Sequence, residues 1–136
     1  MLDDFHQIFA GAVLLSVIGI AYGGTFLLRV GRGGVPANDL QKTFFRAGHA
    51  HAGVLVILGL LVLLYMRSGD VARPWSVLAF GVLVAAILMP AGFFLSVTGR
   101  DPQKPNALIG MLWAGAACLT VGLAGAGIGL ITAGAS

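Results

Sequence analysis

Four apolar runs alternate with short polar stretches along the whole chain. The runs fall at about 8–30, 44–66, 75–97 and 107–133. Crossing the hydrocarbon core of a bilayer takes about 20 apolar residues in a helix, and each run meets that length. Soluble domains do not carry several such runs. The pattern predicts four membrane-spanning helices joined by short loops: an all-α, integral membrane antiparallel four-helix bundle, with 1–136 as a single transmembrane domain.

The first run has an acidic leader, Asp3 and Asp4, where a signal peptide has basic residues, which marks it as a retained helix. It carries Gly19-x-x-x-Gly23, a small-residue face that admits a neighbouring helix. The turn at 31–36 is glycine-rich but lacks the Gly-Lys-Ser/Thr of a phosphate loop. Asn38 and Gln41 have the spacing of a capping box, so the second helix starts there and enters the membrane after an amphipathic turn. Trp75 anchors the third run at the interface, and Pro90 inside it predicts a kink in the preceding turn. In the fourth run Gly110, Ala114, Cys118, Gly122 and Ala126 recur every four positions, which predicts a smooth packing seam reinforced by Gly125-x-x-x-Gly129.

Composition agrees: 58% of residues are hydrophobic, 10% are charged, and mean hydropathy is +0.96. The net charge of +3 does not indicate nucleic acid, because the basic residues punctuate the ends of apolar runs and form no patch. Arg29, Arg32, Lys42, Arg46, Arg100 and Lys104 fall on one side of the membrane, and Arg67 and Arg73 on the other with both termini. The bias predicts a multi-pass protein of the bacterial cytoplasmic membrane type with its termini outside. The lone Cys118 has no disulfide or zinc spacing and reads as a packing residue.

The chemistry concentrates in Arg46-Ala47-Gly48-His49-Ala50-His51-Ala52-Gly53, at the mouth of the second span. Ionisable groups at membrane depth are costly and mark functional sites. His49 and His51 lie about 200° apart around a helix, so they cannot share one metal ion. His49 shares a face with Arg46 and Gly53, and Gly53 leaves room beside the imidazole for a flat ligand. Haem b fits those demands, with His49 as iron ligand and Arg46 and Lys42 as propionate partners. Alternating helix directions would bring Tyr22, Thr25, Arg29, Ser96, Asn106 and Trp113 into the same layer, so a pocket is expected on this side. The opposite half reads as almost purely aliphatic, and His6 as a residue of the far interface.

The pattern resembles the small four-helix membrane isomerases typified by styrene oxide isomerase and hydroxylaminobenzene mutase. The similar segments are Met1-Leu2-x-x-Phe5 with Phe9-Ala10-Gly11, Arg46-Ala47-Gly48-His49 followed by Gly53, Ala91-Gly92-Phe93-Phe94-Leu95, and Asp101-Pro102 with Asn106. The resemblance implies a homotrimer with haem b between protomers, its ferric iron acting as a Lewis acid on an epoxide or arylhydroxylamine. His49 matches the family's ligand with one residue inserted after Ala47; without that insertion Arg46 stands there. The family's Asn before the second-helix glycine and its third-helix Tyr read Ala52 and Phe94 here, and its first-helix Gly-His reads Gly11-Ala12.

The resulting expectation is a haem-binding, isomerase-like trimer acting on a small apolar substrate that enters from the lipid bilayer. Tyr22, His51 and Ser96 are its candidate polar contacts to substrate. The alternatives are a non-enzymatic haem protein for electron transfer or sensing, in which His51 of a neighbouring protomer supplies a second ligand, and a cofactor-free accessory subunit of a larger complex.

Overall fold

The structure is a computed structural model that describes residues 4–135; Met1, Leu2 and Asp3, on which parts of the sequence reading rest, lie outside the described residues. The chain forms α1 (Asp4–Gly31), α2 (Asp39–Ser68), α3 (Trp75–Ala79), α4 (Gly81–Leu95), a 3₁₀ turn (Ala107–Ile109) and α5 (Gly110–Gly134). Among the described residues four segments are long and apolar enough to cross a membrane: Asp4–Gly31, Asp39–Ser68, Trp75–Leu95 and Ala107–Gly134. The fold is an all-α four-helix bundle. Its shortest such segment has 21 residues, which reaches about 32 Å as a helix and matches a hydrocarbon core of about 30 Å.

Both ends of α2 are defined by local chemistry. At its start the Gln41 amide donates to Asn38 Oδ1 at 2.9 Å and the Asn38 amide donates to Gln41 Oε1 at 3.1 Å, so the capping box is complete. At its end the Val71 amide donates to the Met66 carbonyl at 3.1 Å and the Asp70 amide to the Arg67 carbonyl at 3.3 Å. These are the two bonds of a Schellman motif, in which the residue after the cap takes the left-handed conformation. That residue is Asp70, at φ 47°. Val71 then folds back onto Met66 in a small core with Ala79 and Ala126.

The third span is interrupted well ahead of its proline. α4 runs through Pro90 to Leu95, and the break between α3 and α4 lies at Phe80. There the Phe80 amide donates to Val77 at 3.2 Å and the Leu83 amide to Phe80 at 3.0 Å, both three residues back. This tighter winding lets both segments lie directly on α5. A Cβ on Gly81 would stand 2.5 Å from the Cys118 carbonyl oxygen, and one on Gly125 would stand 2.6 Å from Leu78 Cβ.

The seam on α5 also departs from its expected register. Its buried residues are Gly115, Gly122, Gly125, Ala126 and Gly129, whereas Gly110 and Ala114 face outward. Positions four apart drift about 40° per step around a helix, so a five-member series at that spacing cannot stay on one face. Positions seven apart drift only about 20° per step, and 115, 122 and 129 are such a series. Gly115 receives Met89, Gly122 receives the Val82 backbone, and Gly129 receives Val71 and Trp75.

The main core joins Leu55 and Val56 of α2 to Ala85, Ala86 and Met89 of α4. α1 stands at the edge. It rests on α2, with Val30 its only buried residue among those described, and presents Leu14, Leu15 and Ile18 outward. Neighbouring segments meet late against early: Gly23 and Gly24 of α1 on His49, Gly48 of α2 on Phe93 and Phe94, and Gly92 of α4 on Leu112. That pairing builds the layer in which the candidate residues lie.

Candidate functional site

The start of α2 is fixed from outside as well as from within. Gln41 is 7% exposed, and its Nε2 donates to the carbonyls of Val97 at 3.0 Å and Gly99 at 3.1 Å. Asn38 Nδ2 donates to Asp101 Oδ1 and to the Pro102 carbonyl, each at 2.8 Å. The capping pair thus ties α2 to the loop that follows α4, which turns through left-handed conformations at Gly99 (φ 118°) and Asp101 (φ 52°). Sequence spacing gives the capping box but not this second role, because the partner carbonyls lie more than fifty residues away in sequence.

Anchored in this way, α2 points its imidazoles to different neighbours, as the 200° separation requires. His49 lies against α1. Its Nδ1 is 3.7 Å from where a Gly23 Cβ would be, and its Nε2 is 3.5 Å from where a Gly24 Cβ would be. Both ring nitrogens face α1, across a gap that has room for a methyl group and not for a macrocycle. The glycine pair therefore serves as an imidazole seat, while Gly19, the other half of the expected small-residue face, borders open space.

His51 lies toward α4. Its Nδ1 is 2.7 Å from the Ala47 carbonyl oxygen, and its ring centroid is 5.0 Å from that of Phe93. A carbonyl only accepts, so Nδ1 carries the proton of this bond, and a neutral His51 keeps a bare lone pair on Nε2. Phe93 also meets Phe44 edge-on at 5.6 Å. Beside it Phe45 stacks on Phe94 at 5.6 Å and contacts Phe26 of α1 at 5.5 Å. Gly48 makes this aromatic layer possible, since a Cβ there would stand 2.8 Å from the Phe94 ring. The sequence reading did not identify the layer as part of a site; four phenylalanines near two helix ends read equally well as lipid-facing.

The remaining candidates divide. Arg46 is exposed at the surface end of α2, and Lys42 is 39% exposed, 3.7 Å from Asp39. An ion pair this exposed contributes little to stability and leaves Lys42 available. Around Gly53 no atom beyond its own stretch of α2 lies within 4 Å of a Cβ position. Tyr22 is 76% exposed on the outer side of α1. Thr25 Oγ1 donates to the Tyr22 carbonyl at 2.6 Å. Ser96 is 1% exposed, and its hydroxyl turns back to the Phe93 carbonyl at 3.4 Å. Its own carbonyl accepts from the Asn106 amide at 2.7 Å, which joins the end of α4 to the start of the last span. Tyr22 is thus turned to the outside of α1, and Ser96 bonds back within its own segment. Among the described residues no group of three or more His, Cys, Asp or Glu side chains is placed to hold a metal ion.

The expectation that open volume belongs to the His side holds in part: a cavity of about 390 Å³ lined by Pro36, Asn38, Gln41, Arg100 and Asp101 lies there, and further openings lie elsewhere. An apolar groove of about 390 Å³ runs between α1, α2 and α4 from Ala52 toward Phe9, lined by Val13, Ser16, Ile20 and Val56 among others. A larger cavity, about 510 Å³, lies at the opposite end and includes His6, Arg67, Asp70, Arg73 and Ser76. That end is not purely aliphatic, because the Schellman turn folds the polar residues of the 69–74 loop back over the helix ends. Compared with known proteins, the chain matches no family model, no curated protein and no solved structure.

Proposed function

We propose that the chain is an integral membrane protein, an antiparallel four-helix bundle of the bacterial cytoplasmic membrane, that binds haem b through an α2 imidazole. In this reading it rearranges a small apolar substrate, of the epoxide or arylhydroxylamine type, that reaches it from the bilayer. The observation that carries the reading is the His51 imidazole, held by Nδ1 on the Ala47 carbonyl at 2.7 Å. Iron-ligating histidines are oriented by a hydrogen bond of this kind, which fixes the tautomer and leaves Nε2 free for the metal.

His51 is therefore the better prepared ligand. His49, the ligand by position along the chain, turns its nitrogens to α1 and fits the role only if α1 moves away. Phe93 supplies a flat apolar wall beside His51, and Arg46 and Lys42 lie at the surface end of α2, where propionates would emerge. Bound ferric haem supplies a Lewis acid for the substrate oxygen. The protein's part is to orient one imidazole through its Nδ1, to exclude water with the Phe44, Phe45, Phe93 and Phe94 layer, and to offer an apolar groove for substrate. The resemblance to the four-helix membrane isomerases supports this reading and a homotrimer. The outward apolar faces of α1 are compatible with contacts between protomers.

A non-enzymatic electron carrier is the second reading, favoured by the placement of His49 and His51 on different sides of α2, so that copies could present both. Ultraviolet–visible spectra of the purified protein, oxidised and reduced, test both. A high-spin Soret band at one haem per chain or per interface supports the isomerase reading. A low-spin, two-ligand spectrum moves the assignment to the carrier. No Soret band after haem supplementation refutes both and leaves an accessory subunit. His51→Ala should lose the haem and His49→Ala should retain it; the opposite pattern returns the ligand to His49.

A further inference from the structure

The apolar groove of about 390 Å³ between α1, α2 and α4 has two defined ends. Along α1 its wall is one stripe, from Phe9 through Ser16 to Ile20. At the end away from the His pair, the Phe9 ring meets Phe80 edge-on with centroids 5.8 Å apart. At the other end the wall residues are Ile20 and Ala52. Gly23 and Gly24 stand one turn beyond Ile20, and His49 stands one turn before Ala52, so the seated imidazole closes that end. Among the described residues α1 makes no close backbone approach to α4, so in a membrane the groove opens to lipid between them.

The chemistry of the closed end narrows the ligand. His49 has no hydrogen-bond partner among the described residues, and its ring nitrogens are not sealed in. A Cβ on Gly23 or Gly24 would sit 3.7 or 3.5 Å from them, so each has space beside it for one heavy atom. The hydroxyl in the groove wall, on Ser16, already donates to the Val13 carbonyl at 2.6 Å. α2 has 30 residues; centred on the hydrocarbon core, it places His49 about 7 Å inside. A polar group left unpaired at that depth is costly, and an alkyl chain gives it no partner. A hydroxyl does: it fits a one-atom space, and it can accept from an imidazole N–H or donate to the bare nitrogen. A carboxylate would have to bring its charge to the same depth.

We infer that the groove binds a single-chain, bilayer-soluble alcohol, with its hydroxyl on His49 and its chain running along α1 toward Phe9. From Ile20 to Phe9 the wall extends about 16 Å, the reach of about twelve extended carbons. The inference rests on the membrane part of the reading above and not on haem, whose ligand there is the other imidazole. The test is photolabelling of the full chain in dimyristoylphosphatidylcholine nanodiscs, with dodecanol carrying a diazirine near its methyl end. Label should fall on α1 at Phe9 and Val13. Unmodified dodecanol should compete at about fivefold lower membrane concentration than dodecane, the effect of one hydrogen bond. His49→Phe should take label but abolish that difference, and His49→Asn, whose amide keeps a donor and an acceptor, should retain it. Ser16→Leu should fill the groove and lose the label. Equal competition by dodecanol and dodecane, or a difference that persists in His49→Phe, overturns the inference and leaves the groove as a seat for ordinary acyl chains. Loss of label in both His49 variants overturns the hydroxyl contact, because the imidazole would then only prop the groove open. Stronger competition by dodecanoate than by dodecanol overturns the alcohol assignment in favour of a fatty acid. Failure of the haem reading would show separately, in the Soret region of the same sample, and failure of the membrane reading as a chain that does not enter the nanodisc.

Discussion

Replacing Gln41 with Met isolates the contribution of the link between α2 and the loop after α4. Met has nearly the volume of Gln and the same unbranched shape, so packing changes little. What disappears is three hydrogen bonds: the two donated by Nε2 to Val97 and Gly99 and the one accepted from the Asn38 amide. A buried hydrogen bond contributes about 1 kcal/mol net, and an acceptor left dry costs about 1–3 kcal/mol. Val97 is fully buried at 0% exposure, so its carbonyl cannot turn to water in place of Gln41. The expected loss is about 3 kcal/mol. Gln41→Glu keeps an acceptor for the Asn38 amide but sets a carboxylate oxygen against two carbonyl oxygens, so it should be no more stable than the Met variant. Unfolding by sodium dodecyl sulfate in mixed micelles, followed by circular dichroism, gives both values. A loss below about 1 kcal/mol for Gln41→Met, or a Glu variant close to wild type, would refute the claim that this side chain anchors the site layer.

Other substitutions check other parts of the account. Asp70→Gly should stabilise the protein by about 0.5–1 kcal/mol in the same titration, because glycine adopts the left-handed turn position without the Cβ penalty and removes a carboxylate from a helix C-terminus. Gly92→Ala should destabilise by about 1–3 kcal/mol, since its Cβ would fall 2.8 Å from Leu112 Cα in the adjoining backbone. Gly127→Ala should be neutral or stabilising by up to about 1 kcal/mol, since no atom lies within 4 Å of its Cβ position; equal losses at both sites would contradict the packing of α5 described above.

Periodicity along one chain is local information, and it sufficed for the local features. Run lengths gave the four spans, the Asn38 and Gln41 spacing gave the helix cap, and the separation of His49 from His51 gave their divergence. Each follows from bonds between near neighbours or from the fixed turn angle of a helix. What a helix face meets is set by rotation about its axis and by contacts with distant segments, and there the sequence was silent or misleading. It offered Gly110 and Gly122 as equivalent members of one seam; packing against α3 and α4 buries the second and leaves the first open. It carried no signal for the break at Phe80, which accompanies the close approach of Gly81 to α5. Only the tertiary structure turned His49 to the α1 glycines and His51 to Phe93, and only the fold-back of the 69–74 loop made a charged cavity at the end that reads as aliphatic.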